Sequence, residues 1–540
     1  MSVRLIKRWT KRLLMLALVA LCTFMVIRIY DSQRGLRLEV WHRYVPNELT
    51  AEEIDKMSFA EYLKEEERIF LEVKQNVVMP LAQGQTLSVS DIDGFDDEME
   101  IDDTLVAEKN WKDYFSGLKK KSSELGINGI PLNRYLEESA VYPGNFEQDW
   151  NRTYIMKPDN DLFPKPRGAV VLLHGLTDTP YSLRNMADLY RQKGFIAIGL
   201  RLPAHGTVPA ALSKVDWEDW LAATRLGVRE AQRLIPENAP LHIVGFSNGG
   251  ALAMKYALDA IEDPNLVKPD HLVLISPMIG ITSFARFAGI AGWPAVFPPF
   301  AKAAWLSVLP EFNPFKYNSF PVNGARQSHL LTSVLQQQIS DFSNRDLLKD
   351  LPPVVTFQSV VDFTVSTRAV ITALYNKLPA NGSELILFDI NRAANFDILM
   401  RSSTISNVDQ LLPQTPRNYD ATVITNREKY NSEVVARTEK ALTNEAIVEP
   451  LGMNYPSEFF SLSHVAIPFS ANDPLYGSSP SNPTQYGINL GSLAVRGERS
   501  VLLVDLDTLL RASSNPFYEY MTQRIADDVD ESIEAVKVMP

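Results

Sequence analysis

From about residue 152 the chain alternates between short apolar runs and helix-like segments. No other feature restricts its fold as tightly. Ala169 to Leu173 is a continuous apolar run, the pattern of a strand buried on both faces. Phe195 to Leu200 follows a helix-like segment at Leu183 to Lys193, and Leu241 to Gly245 follows another at Trp217 to Leu234. His271 to Ile275 follows the helix-like run Ala251 to Ala257, and Val354 to Phe357 and Glu384 to Phe388 come later. Such alternation predicts βαβ units and a mostly parallel central sheet flanked by helices. The α/β domain is expected over residues 151–540.

Two stretches break the alternation. Residues 280–345 are rich in Phe, Trp and Pro, among them Phe287, Trp293, Phe297, Phe300, Trp305 and Phe312. They read either as a second small core or as a helical cap whose apolar face covers a pocket. Residues 391–455 form a second insertion, polar and mixed, with a strand expected at Thr422 to Thr425.

Ahead of this domain, residues 31–150 read as a separate, mainly helical extension that could bind a protein partner. Thr50 and Glu53 have capping-box spacing, and Ile54, Met57, Tyr62, Ile69, Phe70 and Val73 recur among charges with helical character. The acidic run Asp91 to Asp103 contains Asp91-x-Asp93-Gly94. A calcium loop needs its glycine at the sixth position rather than the fourth, so the run reads as a solvated loop, and no metal site is expected.

At the N-terminus, Arg4, Lys7, Arg8, Lys11 and Arg12 precede a run without charge, Leu13 to Ile27, which Arg28 ends. Leu13 to Tyr30 would span roughly 27 Å as a helix, enough to cross a bilayer if Arg28 snorkels. Basic residues before the span predict a cytoplasmic segment at 1–12, a signal anchor at 13–30 and a periplasmic or extracellular remainder, in keeping with a bacterial inner-membrane protein. A cleaved signal peptide is the competing reading, although no A-x-A site follows the run. The single cysteine, Cys22, rules out an internal disulfide, and a net charge of −12 argues against a nucleic-acid partner.

Between the Leu241 run and the Ala251 run lies Gly245-Phe-Ser247-Asn-Gly249. A serine at a strand-to-helix junction, flanked by two glycines, fits a turn too tight for side chains at the flanking positions. A serine hydroxyl needs a base to take its proton and an acid to orient that base. In this architecture the chain order is serine, acid, histidine. His271, His329 and His464 follow Ser247, but His271 opens a buried strand. Asp362 lies at the carboxyl end of the Val354 strand, where α/β sites form, and only His464 lies beyond it. Asp389 is the alternative acid. Two backbone N–H groups must face the developing oxyanion, and Asn248 and Leu176 stand where they are required. His174 and Gly175 belong to the same loop as Leu176. His174 and His205 precede the serine and are expected to hold backbone, while Asp178 and Asp216 read as turn and capping residues.

Taken together, Val171 to Leu183 (with His174-Gly175-Leu-Thr-Asp-Thr-Pro180), Arg201-Leu-Pro-Ala-His-Gly-Thr207, Trp217-Glu-Asp-Trp220 and Gly245 to Gly249 resemble the α/β-hydrolase superfamily. Within it they resemble the bacterial carboxylesterase and monoglyceride lipase–lysophospholipase group. That group's acid motif is similar to Gln358 to Val365, and its histidine motif to Ser463-His464-Val465. The resemblance covers roughly residues 160–390 and a short stretch around His464. It implies an α/β-hydrolase fold and ester hydrolysis through an acyl-enzyme on Ser247, Asp362 and His464, with no cofactor. The expected substrate is a small ester or lipid of monoacylglycerol or lysophospholipid type. An amidase on the same triad and a non-catalytic scaffold are the rivals. The chain departs from the group in its 31–150 extension and in the long insertion before His464.

Overall fold

A computed structural model describes residues 3–32, 35–82, 131–280, 295, 298–393, 410–492 and 511–538. The acidic run Asp91 to Asp103, the aromatics Phe287, Trp293 and Phe297 and residues 394–409 of the 391–455 insertion lie outside the described residues.

The alternating apolar runs form one sheet. Its strands are β1 (Tyr154–Met156), β2 (Gly168–Leu173), β3 (Phe195–Leu200), β4 (Leu241–Phe246) and β5 (His271–Ile275), then β8 (Val354–Ser359), β9 (Glu384–Phe388), β10 (Asp420–Asn426), β11 (Glu433–Glu439) and β12 (Ala446–Asn454). The order across the sheet is β1-β3-β2-β4-β5-β8-β9-β10-β11-β12. From β3 to β10 every pairing is parallel, with Val171 of β2 between Ile198 and Ile243. β1, β11 and β12 join antiparallel. Because β3 and β4 flank β2 on opposite sides, the carboxyl end of β2 is a topological switch point, the place where sites of α/β sheets form.

Successive strand residues face opposite sides, and the core divides accordingly. Val171, Leu173, Ile243 and Leu272 pack under α5 (Trp217–Leu234) and α6 (Asn248–Glu262). Val170, Leu172, Val244 and Val273 pack under α4 (Arg184–Gln192) and the last helix, α8 (Tyr518–Val538), through Met186, Met521, Ile525 and Val529.

The 31–150 stretch, expected to be separate, shares the first of these cores. α2 (Ala51–Lys56) lies against α5 and is followed by α3 (Phe59–Val73). Tyr62, Ile69 and Val73 of α3, with Ile54 of α2, are buried in the same cluster as Ile198, Leu200 and Ala223. The expected capping box is present: the Thr50 N–H donates to Glu53 Oε2 at 2.8 Å.

The 391–455 insertion also does more than interrupt. The single strand expected at Thr422 to Thr425 is part of β10, and β11 and β12 extend the sheet beyond it. In the 280–345 stretch, a small hairpin of β6 (Trp305–Ser307) and β7 (Phe320–Pro321) leads into the long helix α7 (Val322–Asn344), which packs against α6. Trp305 is buried, while Phe300 and Phe312 are half-buried.

The expected anchor falls within α1 (Val3–Ser32). Among the described residues no helix is long and apolar enough to cross a membrane, and the transmembrane anchor expected at 13–30 finds no support there. Leu13, Met15, Leu16, Leu18, Val19, Val26 and Ile27 are nonetheless exposed. Arg28, which ends the uncharged run, donates to the carbonyls of Ala303 at 3.0 Å and Trp305 at 2.9 Å.

Candidate active site

Ser247 stands between the last residue of β4 and the first of α6, with φ 54° and ψ −112°. Few non-glycine residues adopt positive φ, and a sharp strand-to-helix turn demands it here. The flanking glycines explain the tightness. A Cβ on Gly245 would fall onto the Gly249 carbonyl, and one on Gly249 onto the carbonyl of Leu173 at the end of β2. The backbone is pinned as well. The Ser247 N–H donates to the Ile275 carbonyl at 2.9 Å, and its own carbonyl accepts from the Met278 and Gly250 N–H groups, each at 3.0 Å.

The side chain of Ser247 lies 2.9 Å, Oγ to Nε2, from His464. His464 Nδ1 lies 2.8 Å from Asp362 Oδ2. With the ring proton on Nδ1, facing the carboxylate, Nε2 is free to accept from the hydroxyl. Asp362 is fixed from three further directions. Its Oδ1 accepts the Thr364 N–H at 2.8 Å and the Val365 N–H at 3.0 Å, and Gln358 Nε2 donates to Oδ2 at 3.1 Å. Burial raises the pKa of this carboxyl. The charge and hydrogen bond of His464 and the two backbone N–H groups outweigh burial, so it sits below the usual aspartate value.

His464 opens a short 3-10 turn, His464–Ala466. Its ring stacks on Phe246 with centroids 5.3 Å apart. Ser359 Oγ, at the end of β8, donates to the Leu462 carbonyl at 2.8 Å and ties the histidine loop to the strand that leads to Asp362. Asn391 holds the start of the same loop through the Pro456 and Phe459 carbonyls. Phe246, Ser359 and Asn391 were not singled out from sequence. Phe246 occupies a position that the serine motif leaves unrestricted.

The loop after β2 lies beside the serine: a Cβ on Gly175 would stand 3.3 Å from Ser247 Cβ. Among the described residues neither the Leu176 N–H nor the Asn248 N–H, at the first position of α6, has a backbone acceptor. His174 supports the loop. Its Nδ1 donates to the Gly175 carbonyl at 2.9 Å, and its Nε2 accepts the Leu202 N–H at 3.1 Å. Burial pulls its pKa down to about 3 and keeps the ring neutral. His205 packs edge-on against it, centroids 4.9 Å apart, and burial holds that ring neutral too.

The other candidates lie elsewhere. Asp389 is committed to Arg392, the Thr425 hydroxyl and the Ile390 N–H. His271 sits at the amino end of β5, 3.5 Å from Asp528 of α8 and at the opposite end of the sheet from Ser247. Asp216 caps α5, and its own N–H donates to Asp219. Asp178 is buried in its turn and accepts the Thr179 N–H, with burial raising its pKa.

The strand order, the turn at Ser247 and the loop beside it are those of an α/β-hydrolase fold, and an α/β-hydrolase family model matches residues 170–391. Among curated proteins, the thermostable monoacylglycerol lipase of Bacillus sp. (strain H-257) is 31% identical over 88 residues, which is 16% of this chain and 34% of that protein. The chain thus aligns with about a third of that relative's length. Among solved structures, one from a study of the metagenome-derived lipolytic enzymes LipS and LipT is 19% identical, with a TM-score of 0.35 over 48% of this chain and 98% of its own. The monoacylglycerol lipase of Paleococcus ferrophilus is 16% identical, with a TM-score of 0.33 over 48% and 97%.

Proposed function

We propose that this chain is a serine hydrolase that cleaves carboxylic esters through an acyl-enzyme. The observation that carries the reading is the unbroken line from Ser247 Oγ through His464 to Asp362. As the substrate binds, Ser247 Oγ attacks the acyl carbonyl carbon and His464 Nε2 takes the hydroxyl proton. The carbonyl oxygen becomes an oxyanion facing the N–H groups of Leu176 and Asn248. Collapse breaks the ester C–O bond, and His464 returns the proton to the departing alcohol. Water, deprotonated by the same ring, then releases the acid and restores Ser247. Asp362 holds the imidazole in the required tautomer and stabilises its cationic form.

The substrate we assign is a monoacylglycerol-like or lysophospholipid-like ester. The aligned relative's name and the aromatic 280–345 stretch support that choice. We further infer that α1 fastens the protein to a membrane, with residues 1–12 cytoplasmic and the catalytic domain periplasmic or extracellular. The exposed apolar side chains of α1 and the basic residues before them support this reading.

A fluorophosphonate probe tests the chemistry. Wild type is expected to label and Ser247→Ala is not. Labelling that survives the substitution removes Ser247 as the nucleophile, and an inert, folded wild type favours the scaffold reading. p-Nitrophenyl esters of increasing chain length, set against aminoacyl anilides, separate ester from amide cleavage. A flat chain-length profile removes the lipid preference. Release of the protein from membranes by alkaline carbonate removes the anchor.

A further inference from the structure

The extension expected as a separate module reaches the loop beside Ser247 through a run of buried polar contacts. In α3, the Tyr62 hydroxyl donates to the Arg201 carbonyl at 2.6 Å. Glu66, on the same helix face one turn later, accepts the Thr153 N–H at 2.9 Å and the Thr153 hydroxyl at 2.6 Å. That hydroxyl in turn accepts the Arg201 N–H at 3.0 Å. From the segment before α2, the Glu48 carboxylate pairs with the Arg201 guanidinium. Arg201 is 1% exposed, Tyr62 0% and Glu66 3%, so these contacts work where competing water is scarce and polar bonds are strong.

Arg201 passes this hold inward. Its Nε donates to the His205 carbonyl at 2.6 Å, and the next residue, Leu202, donates its N–H to His174 Nε2. His174 Nδ1 then bonds the Gly175 carbonyl. A carbonyl and the following N–H belong to one planar peptide unit. Fixing the Gly175 carbonyl therefore fixes the direction of the Leu176 N–H. Every atom from Glu48 and Tyr62 to that N–H is linked by a bond or a hydrogen bond.

We propose that Glu48, Tyr62 and Glu66 form a built-in positioning element for the oxyanion loop, with Glu48 and Tyr62 acting on Leu176 through Arg201 and His174. The proposal rests on the serine-hydrolase reading for its effect on rate. A hydrogen-bond donor aimed at a developing charge is worth much more when held in place in advance. Loosening it should lower kcat and leave substrate binding nearly unchanged.

The test compares full-length wild type, Glu48→Gln, Tyr62→Phe and Ile54→Val. Turnover is read with p-nitrophenyl acetate, and the His174 ring is read by nitrogen-15 NMR of histidine-labelled protein. Tyr62→Phe keeps the ring packed and guards against misfolding. Expected is a kcat at least fivefold lower in Glu48→Gln and Tyr62→Phe, a KM within twofold of wild type and a shifted His174 signal. Ile54→Val, buried in the same extension but apolar, should lower the melting temperature and keep kcat. Wild-type kcat and an unmoved His174 signal in both polar variants overturn the proposal. So does an Ile54→Val variant that loses as much kcat as Tyr62→Phe. If wild type shows no Ser247-dependent turnover while the His174 signal still shifts, the hydrolase reading fails and the link from extension to loop stands.

Discussion

Two regions are added to the α/β core, and they meet it in opposite ways. The N-terminal extension inserts Ile54, Tyr62 and Ile69, each 0% exposed, into the cluster beneath α5. The β11–β12 hairpin continues the sheet sideways and ends on β12, most of which is exposed, Ile447 and Val448 included. β12 carries Pro450, opposite Val435, and proline within a strand belongs at an edge, where one N–H can be lost. Sequence position does not separate these cases, because both additions are predominantly polar. The face each one buries does: the first is part of the core beneath α5, while the second lies at the edge of the sheet.

The sharpest control lies in neither region. Asp362→Asn is expected to lower kcat by about 10⁴-fold through the wrong histidine tautomer, in a protein that still folds at neutral pH. A smaller loss in steady-state kinetics would mean that another group orients His464. Next come Ile54→Ala and Ile69→Ala, each expected to cost about 2–5 kcal/mol by emptying the shared core. Chemical denaturation showing less than about 1 kcal/mol would return the extension to a loosely attached module. The third effect follows pH. The Asp362 carboxyl is lowered in the folded protein, so its contribution to stability is full above the unfolded value near about 3.9. It is lost as pH falls through the folded value. Melting temperatures of wild type and Asp362→Asn should therefore converge below about pH 4, and a constant gap would contradict that. Smallest is the edge strand: Ile447→Thr and Val448→Thr should each change stability by no more than about 0.5 kcal/mol. A larger loss would show that β12 is covered in the working protein.

The parallel strands β2 to β5, β8 and β9 were legible because each is buried on both faces and leaves a largely apolar run. The grouping of Ser247, Asp362 and His464 was legible because the sheet brings its carboxyl ends together and chain order left one histidine after the acid. β12 was not legible. An exposed edge strand needs no apolar periodicity, and Glu449, Pro450 and Gly452 within it look like a loop. The burial of α3 was half legible. Tyr62, Ile69 and Val73 mark an apolar face, but nothing local to them says which surface they meet. The contacts of Glu48 and Glu66 were hidden for a different reason: a buried carboxylate reads as a surface charge until its distant partners, Arg201 and Thr153, are known.

The backbone of Ser247 has a consequence for how the protein could be altered. A positive φ in a residue with a side chain costs on the order of 1–3 kcal/mol. Glycine would adopt the same turn without that cost. Ser247→Gly should therefore melt higher than the native chain while lacking the hydroxyl that faces His464. Selection for thermal endurance alone would push this position toward glycine, whereas selection for a serine-dependent reaction would hold the serine against that pressure.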